Sequence, residues 1–270
     1  MRIGLIGDVH ANLHALRAAL ARLRAEGVDA WVCVGDLVGY GPHPNECVET
    51  IADLGSTCVA GNHELMLLDE LPQTRAGRLA RISLAWTREV VRPDVRAHLA
   101  TLPRTARLDD LAIAHGSPHD PEEYVRTEAR AAALLEELPA GRLLLLGHTH
   151  HPWLYGSDAG TAFPTSSPPG SAEVPLRGPG RYLVNPGAVG QSRERERRPL
   201  ARFALLDLDR ETVCYFAEPY DDGGTRTALR AHRLPAYSVH VRPGKVAGAQ
   251  RRARRLLGRA WGTVRHQPGT

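Results

Sequence analysis

Residues 2–10 read RIGLIGDVH. A short aliphatic run ends in glycine, and the glycine is followed by a carboxylate and, two residues on, an imidazole. So short an apolar run, stopped by glycine, predicts a buried strand with a polar pair just past its end. Outward from it, Leu13, Leu16, Leu20 and Leu23 recur at helical spacing, and the pattern stops near Gly27. Residues 31–34 are strand-like again, a Pro-Gly-rich turn at 40–44 opens a helix through Ile51, and residues 57–60 give a third strand. Strands alternating with helices predict an α/β layered fold.

Farther along, residues 64–102 lose the strand signal, and Leu79, Ile82, Trp86 and Val90 recur at helical spacing. Strand patterns return at 111–114, 143–146, 182–184, 202–207 and 212–216. Between 156 and 180 the composition turns to Pro, Gly, Ser and Thr, which predicts a long loop. Residues 246–264 place apolar side chains at helical spacing opposite an arginine-rich face, which predicts an amphipathic helix.

Composition sets outer limits. The chain has 270 residues, of which 43% are hydrophobic and 24% charged, as in an ordinary globular domain with a substantial core. Its longest aliphatic run, 143–146, is far too short to span a bilayer, and nothing at the N-terminus reads as a leader. The four cysteines include no CxxC pair, which excludes a zinc knuckle, and a reducing cytoplasm is the expected compartment. The net charge of +4 is unevenly spread: residues 241–270 hold eight Lys or Arg and no acid, so the remaining body carries −4. A basic tail of this kind suits docking on the body or weak binding of nucleic acid or another polyanion. The chain up to Pro235 is expected to suffice for turnover.

The chemistry concentrates in five short segments, each just past an apolar run: GDVH (7–10), GD (35–36), GNHE (61–64), HG (115–116) and GHTH (147–150). Glycine beside each polar residue permits sharp turns and a close approach to an ion. In an extended segment residues two apart share a face, so Asp8 with His10 and His148 with His150 are each expected to aim at one point. Carboxylate, imidazole and amide oxygen without thiolate suit Mn, Fe, Zn, Co or Ni at a catalytic site. Any one of these histidines could be an ordinary core residue; the ordered set of five segments is what carries the reading.

That order, D-x-H, GD, GNH[DE], H, GH-x-H, resembles the calcineurin-like metallophosphoesterase superfamily. The segments GDLVGYGPHPNE (35–46), HGSP (115–118) and VNPGAVGQ (184–191) are similar to its bacterial branch of small phosphodiesterases. The resemblance covers about residues 1–220. It implies a four-layer α/β/β/α sandwich of two mixed sheets with a helical insertion at about 64–102; it does not explain residues 221–270, which read as a basic helical extension. It further implies one divalent ion on Asp8, His10, Asp36 and His150, and a second on Asp36, Asn62, His115 and His148. Manganese is the favoured metal, and a bridging hydroxide would attack phosphorus in line. His63 would serve the leaving-group oxygen. Asn12 could touch the phosphate or simply cap a helix, and Glu64 could orient His63 or only favour a helix start. The implied substrates are phosphodiesters or phosphomonoesters, with nucleotides the expected class.

Two alternatives stand beside this. Protein phosphatases and dinucleoside polyphosphate hydrolases of the superfamily carry an arginine clamp after the GD segment, where this chain has Gly39-Tyr40-Gly41. A non-catalytic scaffold of the same fold would be marked by loss of a ligand or of His63, and none is lost.

Overall fold

A computed structural model of the chain describes residues 1–138, 141–162 and 171–242. β1 (Arg2–Ile6), β2 (Ala30–Cys33) and β3 (Thr57–Cys58) lie parallel, joined by α1 (Leu13–Glu26) and α2 (Pro44–Asp53). On its other edge β1 meets β11 (Leu200–Asp207) antiparallel, and β12 (Thr212–Pro219) and β9 (Ser171–Pro175) complete the order β3-β2-β1-β11-β12-β9. The second sheet runs β4-β5-β6-β10-β7-β8 and is also mixed. Its strands are β4 (Thr105–Leu108), β5 (Leu111–Ala114), β6 (Leu143–Leu145), β7 (Trp153–Gly156), β8 (Gly160–Ala162) and β10 (Tyr182–Asn185).

Alternation along the strands builds the layers. Leu5 of β1 and Ala204 and Leu206 of β11 face the second sheet, where they pack with Ile113, Leu145 and Val184. Their neighbours Ile6, Phe203 and Leu205 face outward onto Leu16, Leu20 and Leu23 of α1. In the second sheet Ala112 and Leu144 turn away to meet Leu134 and Leu135 of α6 (Glu128–Glu136). The period of two thus divides each sheet's apolar side chains between an inter-sheet core and an outer helix layer, which is the expected α/β/β/α sandwich. Deleting one such buried leucine costs about 2–5 kcal/mol, so each core is worth many times the net stability of a domain.

Between β3 and β4 the chain is helical: α3 (Asn62–Leu67), a 3-10 turn at Gln73–Arg75, α4 (Arg78–Val90) and α5 (Pro93–Leu99). Pro93 sits at the first turn of α5, where its missing N–H costs nothing.

The architecture adds short elements that the sequence reading did not mark, β4, β7 and α6, and differs from it in two longer stretches. The stretch 156–180 is not one long loop, since β8 and β9 occupy parts of it; residues 163–170 lie outside the described ones. β9 owes its strand to its partner, pairing along Ser171–Pro175 with β12, which composition alone does not reveal. Residues 221–242 are also not separate from the body. α7 (Asp222–Ala231) packs on α1, Leu229, Leu234 and Val239 form a small cluster with Trp86, and Ser238 donates to the Tyr40 carbonyl at 2.9 Å. A chain cut after Pro235 would lose that last tie. The basic helix expected at 246–264 lies outside the described residues. Among the described residues no helix is long and apolar enough to cross a membrane.

Candidate metal centre

The loops that leave β1, β2, β3, β5 and β6 meet at one end of the two sheets. Asp8 and His10 follow β1, Asp36 follows β2, Asn62 opens α3 just beyond β3, His115 follows β5, and His148 and His150 follow β6. All seven are buried. The ligand atoms of Asp8, His10, Asp36 and His150 lie within 4.8 Å of one another, as do those of Asp36, His115 and His148. Asn62 joins the second group through its Oδ1, 3.1 Å from His115 Nε2. Asp36 belongs to both groups: its Oδ2 is 3.5 Å from His10 Nε2 and 3.2 Å from His115 Nε2.

The convergence is not achieved by extended backbone, as the two-residue spacing suggested. Asp8, His10, Asp36, His148 and His150 have φ of 49°, 47°, 55°, 62° and 62°. Left-handed backbone at non-glycine residues carries strain, which gathers at functional sites. Two glycines are required by close approach. A Cβ at Gly61 would lie 2.2 Å from Asp36 Oδ1, and one at Gly39 would lie 2.1 Å from His63 Nδ1.

Backbone carbonyls fix the imidazoles. His10 Nδ1 donates to Val38 O at 3.1 Å, His115 Nδ1 to Val34 O at 2.7 Å and His150 Nδ1 to Gln191 O at 2.9 Å. The His10 and His150 rings therefore turn an Nε2 lone pair toward the centre, the usual outer support of a metal-bound histidine, while His115 Nε2 faces the Asn62 and Asp36 oxygens. His10 Nε2 and His150 Nε2 then face each other at 3.1 Å, two lone pairs that only a shared cation or proton reconciles. Both oxygens of the buried Asp8 carboxylate also lack a hydrogen-bond partner. The donor set thus fits divalent ions in both chemistry and unmet demand.

Burial shapes the ionisation. It lowers His10, His148 and His150 well below the ordinary histidine value, keeping them neutral as ligands must be. It raises Asp8 to about 7, with the Asp36 charge adding to the effect. At His115 burial pulls downward but is outweighed by the charge and hydrogen bond of Asp36, so the group rises to about 10. At Asp36 the burial penalty is likewise overcome, chiefly by His115 and His63, and the carboxyl falls well below its usual range.

His63 lies beside this centre. Its N–H donates to Asp36 Oδ1 at 2.9 Å, and its ring packs 4.8 Å from His10 and 4.7 Å from Tyr40. Its Nδ1 is buried without a partner. Glu64 has a larger part than either role considered for it. Its carboxylate accepts from the backbone N–H of Asp36 at 2.8 Å, Leu37 at 2.8 Å, Val38 at 3.0 Å and Gly61 at 2.8 Å. One side chain thereby clamps the loop that presents Asp36 to the start of α3. Burial and the Asp36 charge push its carboxyl up to about 7, against the N–H donors, which favour the ionised form.

Of the two roles the sequence offered Asn12, the structure shows the helix cap. It is fully buried, and its Oδ1 caps α1 through Ala15 N–H at 3.3 Å and accepts from Thr225 Oγ1 at 3.1 Å. Its Nδ2 donates to Gly190 O at 2.9 Å and to Tyr220 at 3.1 Å. With its capacity spent on capping and on tying α7 to the body, it has no place among the cleft residues. Asn185 is structural too, its Nδ2 tying the NPG turn to Gly147 O at 2.6 Å.

A cleft of about 230 Å³ opens over the centre. Asp36, Asn62, His63, His148 and His150 floor it, while Met66, Arg75, Ala76, Gly77 and Ala80 bring in the helical insertion. Tyr40, Glu122, Tyr124 and Arg193 complete the wall. The sequence reading singled out none of these last four.

Residues 1–211 match the family described as the calcineurin-like phosphoesterase superfamily domain. An uncharacterised protein of Methanocaldococcus jannaschii is 31% identical over 241 residues, covering 87% of this chain and 94% of that protein. The crystal structure of a metallophosphoesterase from Sphaerobacter thermophilus superposes with a TM-score of 0.76 at 33% identity, over 88% of this chain and 96% of that one. A hypothetical protein from Pyrococcus horikoshii OT3 shares the fold, with a TM-score of 0.70 at 20% identity over 88% of this chain and 96% of that one. Sequence, sheet order and the grouped carboxylates and imidazoles agree: the chain belongs to the calcineurin-like phosphoesterase superfamily and is a hydrolase of that family.

Proposed function

We propose that the chain hydrolyses phosphodiester or phosphomonoester bonds of nucleotide-type substrates at a centre of two divalent ions. Asp8, His10, Asp36 and His150 would hold one ion, and Asp36, Asn62, His115 and His148 the other, with Asp36 common to both. The observation that carries the reading is the facing pair of His10 and His150 Nε2 atoms at 3.1 Å beside an unpartnered, buried Asp8 carboxylate. When bound, the two ions would neutralise phosphoryl charge and activate water for attack. Manganese suits the mixed carboxylate, amide and imidazole set, and Fe, Zn, Ni or Co are compatible with it.

The chain's own residues do the rest. Glu64 holds the Asp36 loop rigid, and the backbone carbonyls hold the rings. His63, at the cleft wall, donates a hydrogen bond or proton to the leaving-group oxygen. Burial lowers the His63 imidazole in the free protein. An anionic ester beside it would raise it again, so proton donation belongs to the substrate complex. Four free cysteines, three of them buried, suit a reducing cytoplasm.

The test is a panel of cyclic nucleotides, nucleoside monophosphates, single-stranded DNA and small diesters, run with Mn²⁺ and after chelation. Hydrolysis should need the ion, and Asp36→Asn should lower occupancy of both positions in elemental analysis. Undiminished turnover by stripped protein would end this mechanism. A single ion giving full activity would remove its two-metal part.

A further inference from the structure

The arginine that clamps phosphate in protein phosphatases of this superfamily has no counterpart at Gly39-Tyr40-Gly41, yet a guanidinium does stand in the cleft. Arg193 lines the same cleft as Asp36, Asn62, His63, His148 and His150. Its placement is built from the backbone upward. Val189 N–H donates to Gly7 O at 3.1 Å and Gly190 N–H to Asp8 O at 2.9 Å, so this segment lies flush against the first ligand loop. The fit tolerates no side chain, since a Cβ at Gly190 would come within 1.7 Å of the Val9 carbonyl oxygen.

Gln191 O then accepts from His150 Nδ1, Ser192 N–H donates to Val239 O at 3.1 Å, and Ser192 O accepts from Val241 N–H at 2.9 Å. The side chain is steered as firmly. Arg193 Nε donates to Gln191 Oε1 at 3.0 Å, and Gln191 Nε2 is itself anchored on Ser238 O at 2.8 Å. Arg193 Nη1 reaches the Tyr124 hydroxyl at 3.5 Å, and the Tyr124 ring lies 4.0 Å from that of His148.

We propose that Arg193 is the phosphoryl-binding residue of this site, its planar fork taking non-bridging oxygens of the scissile phosphate while Asp36 and the histidines hold the ions beneath. The inference rests on the phosphoesterase reading and deepens it. A guanidinium presents parallel N–H donors that match two phosphoryl oxygens, which a lysine or a phenol cannot do. Arg193 is also close enough for its charge to act on Asp8, His10, His63, His148 and His150 together. The other cleft cation, Arg75, is 72% exposed and ion-paired to Asp120 at 3.8 Å and Glu122 at 3.6 Å, a rim position that suits selection of the leaving group. Tyr40, standing where the clamp arginine would be, has burial pushing its phenol up to about 12, so it adds no negative charge against the phosphate.

The test uses the full chain loaded with Mn²⁺, titrated with inorganic phosphate by calorimetry, alongside metal content and steady-state kinetics on a small diester. Arg193→Ala should keep its manganese and bind phosphate about ten- to a hundredfold more weakly, the worth of a hydrogen bond to a charged group. Arg193→Lys should recover part of the loss, having the charge without the fork, and Arg210→Ala, an exposed arginine outside the cleft, should bind phosphate as the parent does. Phosphate binding and KM unchanged in Arg193→Ala would overturn the inference, as would loss of manganese, which marks a structural strut. Full recovery by lysine would overturn the two-oxygen fork. The underlying reading fails differently: the parent protein would then take up no manganese or hydrolyse no ester at all, whatever stood at 193.

Discussion

The His63 side chain is in neither proposed ligand set, although its backbone N–H holds Asp36 and its ring packs on His10, so replacing it should separate chemistry from metal binding. His63→Ala should retain its metal and lose about 10²–10⁴ in rate, the usual range for an acid–base contributor. The loss should be greatest for poor leaving groups, because a nitrophenolate departs with little help. A loss equal across leaving groups would show that the imidazole does something else. Glu64→Gln tests the loop clamp: an amide can offer its NH₂ to backbone N–H groups only as a clash of donors. Urea unfolding of the metal-free variant should show a loss of about 2–4 kcal/mol, and stability equal to the parent's would show that the four bonds are incidental. The metal-binding candidates were legible because carboxylate and imidazole beside glycine, repeated at strand ends, have few other uses. Their means of converging was not, since left-handed backbone leaves no mark in spacing. Asn12 was ambiguous for a physical reason: an N-cap and a phosphate contact ask for the same small polar side chain. Arg193 was hidden because nothing in the alternating Arg and Glu of residues 193–198 sets one arginine apart from the others.

Among the elements, the insertion from α3 to α5 is where selectivity is expected to reside. It leaves directly from the Asn62-His63 pair and returns Arg75, Ala76 and Ala80 to the cleft rim. Ala76→Trp and Arg75→Glu should therefore change kcat/KM ratios among substrates of different bulk and charge while a small diester turns over nearly as before. Ratios that do not move would make the segment a packing element only. The insertion's helices were readable from apolar residues at three- and four-residue spacing. β9 and β4 were not, because short, partly polar edge strands take their conformation from a partner rather than from their own pattern. Where the helices meet, burial lowers His43, with the charges of His14 and His232 reinforcing it and Glu46 opposing it. Because the folded value lies below the unfolded one, the unfolded chain takes up the proton first as pH falls. The stabilisation is full above the ordinary histidine value of 6.5 and drains away below it. Thermal unfolding of metal-free protein should thus drop in midpoint below that pH, and His43→Gln should drop less steeply. Parallel slopes would assign the acid sensitivity to other groups.

For the molecule as a whole, the decisive contrast is between an acidic body and a basic end. The fold and the site were legible together because they are one pattern: strands that alternate between two cores must end somewhere, and their polar residues gather where they end. α7 and the turn after it are held to the body by side-chain ties to Asn12, Tyr40 and Gln191, which no local pattern announces. Truncation after Pro235 should therefore damage turnover by freeing Gln191, and with it Arg193, whereas truncation after Arg242 should spare it. The second truncation also removes seven of the eight Lys or Arg that residues 241–270 carry without a single acid. If the apolar stripe of that segment docks on the body, the arginines are left in solvent and bind polyanions only weakly and without sequence preference. Single-stranded DNA should then bind the full chain at low salt and be released as salt rises, with a log–log slope of about −0.7 per phosphate neutralised. The chain ending at Arg242 should bind it less. Equal binding by both chains, or none by either at low salt, would mean that the charges are a solvated face and that the segment contributes packing alone.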